Sequence, residues 1–375
     1  MNNRTEVNLP KSIRMTFYLL LVVLIFHILI QAKHFIAPFM IAAMFAYLLY
    51  PVALFLETKL RIPRIPATIL TLLLFILFIV AIVSVIYYQT RELLSDFPAI
   101  KGQAMKNIDG IFEFIQQNVG ITEESQKHWM KSSVANFLEE SSNWAGKLVS
   151  SFSGVLGRAI LVPVYIFLML FYRDKLQEFF FRMSGEGKKE KVNSVLTQIS
   201  QVTRKYAGGL FVVFLILAVI NTTCLYFVGI KFWLMLGLIA AACNFIPYFG
   251  TALGYSFTFL YCLVTQDSPN VFLTIFIIYL IVQFSEHNIL TPNIVGDNVK
   301  LNPFIIIVSL IGGAMVWGLA GMLLTVPLVA VFRIICENTP RLMPIAFLLG
   351  TEGAEKHAIS WKNIVRIFQK KKMEG

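Results

Sequence analysis

Few residues in this chain set a polar or ionisable side chain among apolar neighbours, and those few are where chemistry could occur. Glu286, His287 and Asn288 close an apolar run that begins near Val271. A carboxylate there is a candidate for taking a proton, a cation or a polar solute, because charge is costly in hydrocarbon and is retained there for function. The same Glu286 at a membrane–water interface would be cheap and need no role. A lone histidine near a helix end, such as His287, reads as a surface group. Asn244 lies in Asn244-Phe-Ile-Pro247-Tyr-Phe-Gly250 and offers both a donor and an acceptor. It can meet a solute or satisfy backbone groups freed by Pro247. Asn221, Thr222 and Thr223 are expected to hydrogen-bond between helices. Gly250-Thr-Ala-Leu-Gly254 has the spacing that lets two helix backbones approach closely.

Enzyme chemistry is not expected. Gly254-Tyr-Ser256-Phe257 lacks the second glycine that an intramembrane serine protease places after its nucleophile. The chain has no HExxH, no DDxxD, no Walker sequence and no paired carboxylates in an apolar run. Its four cysteines lie in apolar segments without CxxC spacing, so no disulfide framework, metal site or cofactor is expected.

The elements that hold these residues are set by composition. Hydrophobic residues make up 57% of the 375 positions and charged residues 14%. A soluble chain of this size could not hide that much apolar surface behind a polar skin. The reading is an all-α integral membrane protein. Six runs are simple spans of roughly the 20 residues a bilayer core requires: Met15–Gln31, Ile36–Leu56, Ile65–Tyr88, Val155–Tyr172, Ala207–Val228 and Val271–Leu290. The first lacks an A-x-A cleavage site and reads as a retained span. Two more units, Phe232–Val264 and Pro303–Cys336, are too long for one straight crossing and are broken by glycine and proline. The breaks fall at Asn244–Gly250 in the first, and at Gly312-Gly313 and Gly318-Leu-Ala-Gly321 in the second. Each unit is either one tilted span or a re-entrant hairpin, and the hairpin is the preferred reading. Broken apolar segments at matching places in two halves point to a solute site, because unpaired backbone is tolerated at membrane depth only beside a cavity or under protein cover.

The net charge of +11 is spread beside apolar runs and not along one stripe, which favours an anionic lipid face over nucleic acid. Arg173–Tyr206 carries eight Lys/Arg against four Asp/Glu, whereas Gln89–Ser153 carries six against eight. The bias places both termini in the cytoplasm and Gln89–Ser153 outside. That external stretch has helical apolar spacing at Ala104, Ile108, Ile111, Phe112 and Ile115, and again from Val134 to Phe152. Thr122 with Glu123 and Glu124 marks a helix start. The pattern from Val192 to Tyr206 is expected to run straight into the fifth span, with Gly185-Glu-Gly187 as a polar turn.

The second half resembles the autoinducer-2 exporter family of bacterial membrane proteins. The resemblance is carried by Asn244-Phe-Ile-Pro247-Tyr-Phe-Gly250, Glu286-His-Asn-Ile-Leu-Thr-Pro292, Leu301-Asn-Pro303, Gly312-Gly313 and Trp317-Gly-Leu-Ala-Gly-Met-Leu-Leu-Thr-Val-Pro327. It implies a homo-oligomeric permease of the inner membrane that exports a small polar solute, a signalling molecule in some relatives, with sodium/proton exchange in others. No ATPase element is present, so uphill movement would use a proton or sodium gradient. The candidate transport residues are Asn244, Pro247, Gly250, Glu286, Asn288, Pro292, Asn302, Pro303, Gly312, Gly313, Gly318 and Gly321. The expected organisation has spans 1–3 over 1–88 as scaffold and an amphipathic helical insert over 89–153. The fourth span and a cytoplasmic helix follow over 154–206, then a transport core over 207–336 and a basic tail over 337–375. A sodium/proton antiporter, an ion channel and a non-transporting scaffold or regulator are the alternatives.

Overall fold

The computed structural model describes residues 10–119, 127–136, 139–140, 142–143, 146–147, 150, 160–185, 187–246, 250–266, 268–295 and 300–352. Regular structure among them is helical, apart from one isolated antiparallel bridge between Leu301 and Gly350. In chain order the helices are α1 (Lys11–Gln31), α2 (Lys33–Thr58), α3 (Arg64–Ser95), α4 (Phe97–Val119), α5 (Leu161–Phe171), α6 (Arg173–Met183) and α7 (Lys189–Val228). They continue with α8 (Trp233–Cys243), α9 (Gly250–Thr265) and α10 (Pro269–Ser285). A π-helical turn (Glu286–Leu290) then leads into the short α11 (Thr291–Ile294). The last are α12 (Pro303–Trp317), α13 (Leu319–Glu337) and α14 (Met343–Leu349).

Six stretches of these helices are long and apolar enough to cross a bilayer: Ser12–Gln31, Lys33–Thr58, Arg64–Ser95, Lys189–Val228, Asn270–Ile294 and Leu319–Glu337. Large apolar side chains such as Leu19, Leu73 and Val219 point outward from them, as lipid-facing residues must. The pattern is that of a multi-pass membrane protein. Five of the six match simple spans read from the sequence. Of the fourth expected span, Leu161–Phe171 is helical, and its start lies outside the described residues. Thr122, Glu123 and Glu124 also lie outside them. The periodicity across 192–206 does feed the fifth span, since α7 is one helix of 40 residues. Gly229, at φ +85°, ends it in a conformation that glycine adopts without strain.

The helices group into two compact units, one comprising Ala32–Leu176 and Arg204–Gly296, the other the described parts of Met1–Gln31, Gln177–Thr203 and Asp297–Gly375. In the first unit, Ala42, Ala46 and Leu49 of α2 pack with Leu72 of α3 and with Ile166 and Leu170 of α5. Small residues on α2 let these backbones come close, which is how helices associate in lipid. A second core joins Leu225 of α7, Met235, Leu236 and Ala240 of α8, Tyr255 and Cys262 of α9, and Ile275 and Tyr279 of α10.

The charged residues of the first unit sort by the ends of its helices. Glu57, in the last turn of α2, accepts from Arg173 at 3.0 Å, and Arg64, opening α3, reaches Asp174 at 2.6 Å. Arg173 and Asp174 open the Lys/Arg-rich stretch Arg173–Tyr206. From the stretch assigned outside, Asp96 pairs with Lys231, and Asn107 donates to the carbonyls of Leu263 (3.3 Å), Val264 (3.2 Å) and Gln266 (3.0 Å). The amphipathic spacing of α4 has a packing reason: its buried Ala104, Ile108 and Phe112 belong to the helix that packs on α9.

One expectation about the second broken unit needs correction. Gly312-Gly313 does not interrupt the helix; α12 runs through it and stops at Gly318. Gly318 has φ +61° and ψ −137°, a conformation essentially reserved for glycine, and it separates α12 from α13. Glycines inside a helix weaken it only modestly, and here close packing offsets that loss.

Candidate functional site

Both broken units fold back on themselves. In the first, the chain leaves α8 through three successive tight hydrogen bonds, Asn244 N to Ala241 O, Phe245 N to Ala242 O and Ile246 N to Cys243 O (3.2, 3.1 and 2.9 Å). It re-enters α9 at Gly250, whose amide reaches Ile246 O at 2.9 Å. A Cβ at Gly250 would stand 1.8 Å from Cys243 O, and one at Gly254 would stand 2.7 Å from Ala240 Cα. Only glycine allows two antiparallel helices this close. Pro247 lies outside the described residues.

Both feet of this first hairpin rest on the segment carrying α3 and α4. Lys231 before α8 meets Asp96, the Gln89 side chain accepts from Met235 N at 3.0 Å, and Asn107 gathers the last carbonyls of α9. The last two contacts supply partners to helix-end groups that have none within their own helix.

The turn of the hairpin meets Glu286. Asn244 Nδ2 donates to Glu286 Oε1 at 2.8 Å. The carboxylate is 4% exposed, and its other oxygen is buried without a hydrogen-bond partner. Glu286 opens the π-helical turn, where i→i+5 bonding widens the helix by one extra residue, a feature that recurs at functional sites. Further along the α9–α10 contact, Gln283 Nε2 donates to Thr251 Oγ1 at 3.3 Å and lies 2.9 Å from His287 Nδ1. Tyr279 Oη donates to Thr258 Oγ1 at 2.9 Å, and the Tyr255 ring stacks on the Tyr279 ring with centroids 3.9 Å apart. The Tyr255 hydroxyl and Gln283 Oε1 are buried without partners.

The second hairpin, in the other unit, is built differently. A Cβ on Gly321 would lie 1.9 Å from Gly313 O, and one on Gly313 would lie 2.0 Å from Thr325 Oγ1. Asn302 caps α12 by accepting from Phe304 N at 3.0 Å, with Pro303 in the first turn where its missing donor costs nothing. Arg333, buried in α13, donates to Lys300 O and pairs with Glu337 at 2.7 Å. Asn302 N reaches Leu349 O at 2.9 Å. One guanidinium therefore gathers the entry and the exit of the hairpin beside the strand-like contact of Leu301 with Gly350.

Of the residues singled out by sequence, Asn244, Gly250 and Glu286 come together in one place. Gly313, Gly318 and Gly321 shape the second hairpin, and Asn302 and Pro303 start it. Asn288 is exposed and donates to Phe284 O of its own helix, Pro292 is exposed, and a Cβ at Gly312 would meet nothing within 4 Å. The expected inter-helix bonds of the Asn221 group are not seen. Thr222 bonds to Ala218 O and Val219 O of its own helix, and the Asn221 amide is buried without partners. Thr251, Tyr255, Gln283, Asn107 and Arg333 did not stand out by composition. The period linking Thr251, Tyr255 and Thr258 was available, but only a partner helix with the same period gives it meaning. A recess of about 280 Å³ beside α7 and α10 is lined by Ile220, Cys224, Ile278, Ile281, Val282 and Ser285 among others, which is too apolar for a polar solute.

Comparisons with known proteins give a consistent result. A protein-family model described as "AI-2E family transporter" matches residues 17–341. YrrI of Bacillus subtilis, provisionally named a transport protein, is 29% identical over 197 residues, covering 51% of this chain and 55% of that protein. The chain thus spans about half the length of that relative. A provisionally named transport protein of Borreliella burgdorferi is 25% identical over 346 residues, 91% of this chain and 92% of its own. TqsA of Escherichia coli, named as an AI-2 transport protein, is 23% identical over 325 residues, 86% of this chain and 92% of its own.

Proposed function

Because the chain belongs to the AI-2E transporter family, we propose that it is a gradient-coupled exporter of a small polar solute, a signalling molecule being the first to test, in a bacterial inner membrane. The observation that carries this reading is the buried Asn244–Glu286 pair at the turn of the first hairpin. A carboxylate in a membrane-crossing helix, joined to a segment that folds back, is an arrangement suited to coupling an ion to a backbone movement. The naming of TqsA of Escherichia coli as an AI-2 transport protein supports a small polar signal as cargo.

Both hairpins are taken to re-enter the bilayer. The helices of the first have 11 and 16 residues, about 16 and 24 Å against a core of about 30 Å. Its two feet share one end of the unit, as a re-entrant segment requires. On this reading the termini are cytoplasmic, α4 belongs to the external insert, and copies of the chain assemble as a homo-oligomer. A cysteine placed at Asn298 should then react with an impermeant maleimide from the cytoplasmic side; reaction from outside would make both broken units full spans.

Flux in proteoliposomes tests the function itself. A furanone-type signal should move against its gradient when a proton or sodium gradient is imposed, and Asn244→Ala should lose that response. Sodium/proton exchange without solute movement would favour the antiporter, the second reading that an intramembrane carboxylate supports. Solute movement only down its gradient would favour a channel, and no flux of any kind would leave a scaffold or regulator.

A further inference from the structure

The polar residues between α9 and α10 follow matching periods. On α9, Thr251, Tyr255 and Thr258 recur at i, i+4 and i+7, and on α10 with its π-helical turn, Tyr279, Gln283 and Glu286 recur the same way. Stripes of that spacing occupy one face of each helix. Packed antiparallel, they meet rung by rung: Tyr279 with Thr258 at 2.9 Å, Gln283 with Thr251 at 3.3 Å, and ahead of the start of α9, Glu286 with Asn244 at 2.8 Å. The Tyr255 ring stacks on Tyr279 of the first rung. Three buried polar atoms along the ladder lack partners: Tyr255 Oη, Gln283 Oε1 and Glu286 Oε2. Tyr255 is 8% exposed and Glu286 4%.

We infer that this ladder is a proton path running along the α9–α10 seam from Tyr279 and Thr258 to Glu286, and that a proton arriving there loosens the hold of Glu286 on Asn244. What the proton drives rests on the transport reading; that Glu286 takes it does not. Hydroxyl and carboxylic groups both donate and accept, so they can hand a proton along, and rungs three or four residues apart are about 5 Å from one another, a gap that one water bridges. A metal ion suits the place poorly. Among the described residues no three His, Cys, Asp or Glu side chains gather to hold one, and Glu286 Oε1 already faces an amide N–H. The step is simple: H⁺ adds to a lone pair of Glu286 Oε2, and the carboxylate becomes a neutral acid. The Asn244 N–H···Oε1 bond then loses its charge assistance, about half its strength. When the proton leaves, that bond is restored.

The other titratable groups that interact with Glu286 are His287 on its own turn and Tyr255 from α9. His287 is the competing proton acceptor. Hydrogen exchange of the Asn244, Phe245 and Ile246 amides, measured in lipid nanodiscs at about pH 5 and about pH 8 and corrected for intrinsic rates, separates them. The wild-type amides should exchange several-fold faster at the lower pH. Glu286→Gln should exchange fast at both, Glu286→Asp should keep the response if the glutamine variant fails to fold, and His287→Gln should keep it too. Tyr279→Phe should leave the end states unchanged and slow the approach to them after a pH jump. A pH response surviving in Glu286→Gln, one lost in His287→Gln, or acceleration by sodium and not by acid would each overturn the inference. The readout needs no cargo. A protein that shows the response but moves no solute keeps the proton site and loses the transport reading, and one that moves solute without the response does the reverse.

Discussion

The two hairpins share a shape and differ in what holds them. The first has helices of 11 and 16 residues, polar rungs between α9 and its neighbour α10, and an ionisable residue at its turn. The second has helices of 15 and 19 residues joined by glycine backbone packed on glycine backbone, with an apolar first helix. Its one buried charge, Arg333, sits near the end of its second helix and is paired there. Charge-dependent hydrogen bonds can be weakened by a proton; backbone contact cannot. The first hairpin is thus equipped to respond, and the second to hold its form.

That contrast can be broken in graded steps. The largest effect is expected from Gly321→Leu. Its Cβ alone would sit 1.9 Å from Gly313 O, so the second hairpin must part, at a cost of about 3 kcal/mol or more, read as a lowered unfolding midpoint in detergent. Arg333→Met leaves Lys300 O and Glu337 without their partner and should cost about 2 kcal/mol, with a disulfide engineered between positions 301 and 350 forming less readily. Asn107→Ala removes the donor shared by three carbonyls at the end of α9. A loss of about 1 kcal/mol is expected, visible as faster exchange at that foot and not at the second hairpin.

A smaller effect concerns Asp109, whose carboxyl is held below the usual aspartate range by hydrogen bonds from Lys127 and Lys131. A depressed folded value means that the contribution is fully present above the unfolded aspartate range and disappears as pH falls through the folded value. The contact between α4 and residues 127–136 should therefore persist across the neutral range and weaken only in strong acid. It should also weaken in high salt, because the groups are only half-buried. A distance probe between positions 109 and 131 reads both. Gly312→Ala should be the mildest change, since the added methyl meets nothing within 4 Å and helix propensity favours it. A large loss there would show that Gly312 does more than continue α12.

The spans were legible because a bilayer imposes one rule, a long apolar run with its backbone satisfied inside the helix, and composition alone reveals such runs. Asn244, Gly250 and Glu286 stood out for a related reason, as polar or helix-breaking residues in apolar company. Gly312-Gly313 was misread as a break because a glycine pair looks the same in sequence whether it ends a helix or admits a neighbour. Arg333 was hidden near the end of an apolar run, where charge bias explains a cation without asking what it binds.

Residue order by itself determined that this chain lives in a membrane and where most of its spans run, since both follow from local hydrophobicity and spacing. Tertiary structure alone decided that Asn244 meets Glu286 across 42 positions of sequence, and that Thr251, Tyr255 and Thr258 face Tyr279, Gln283 and Glu286. Partnership of that kind depends on how two helices pack, which no single helix encodes.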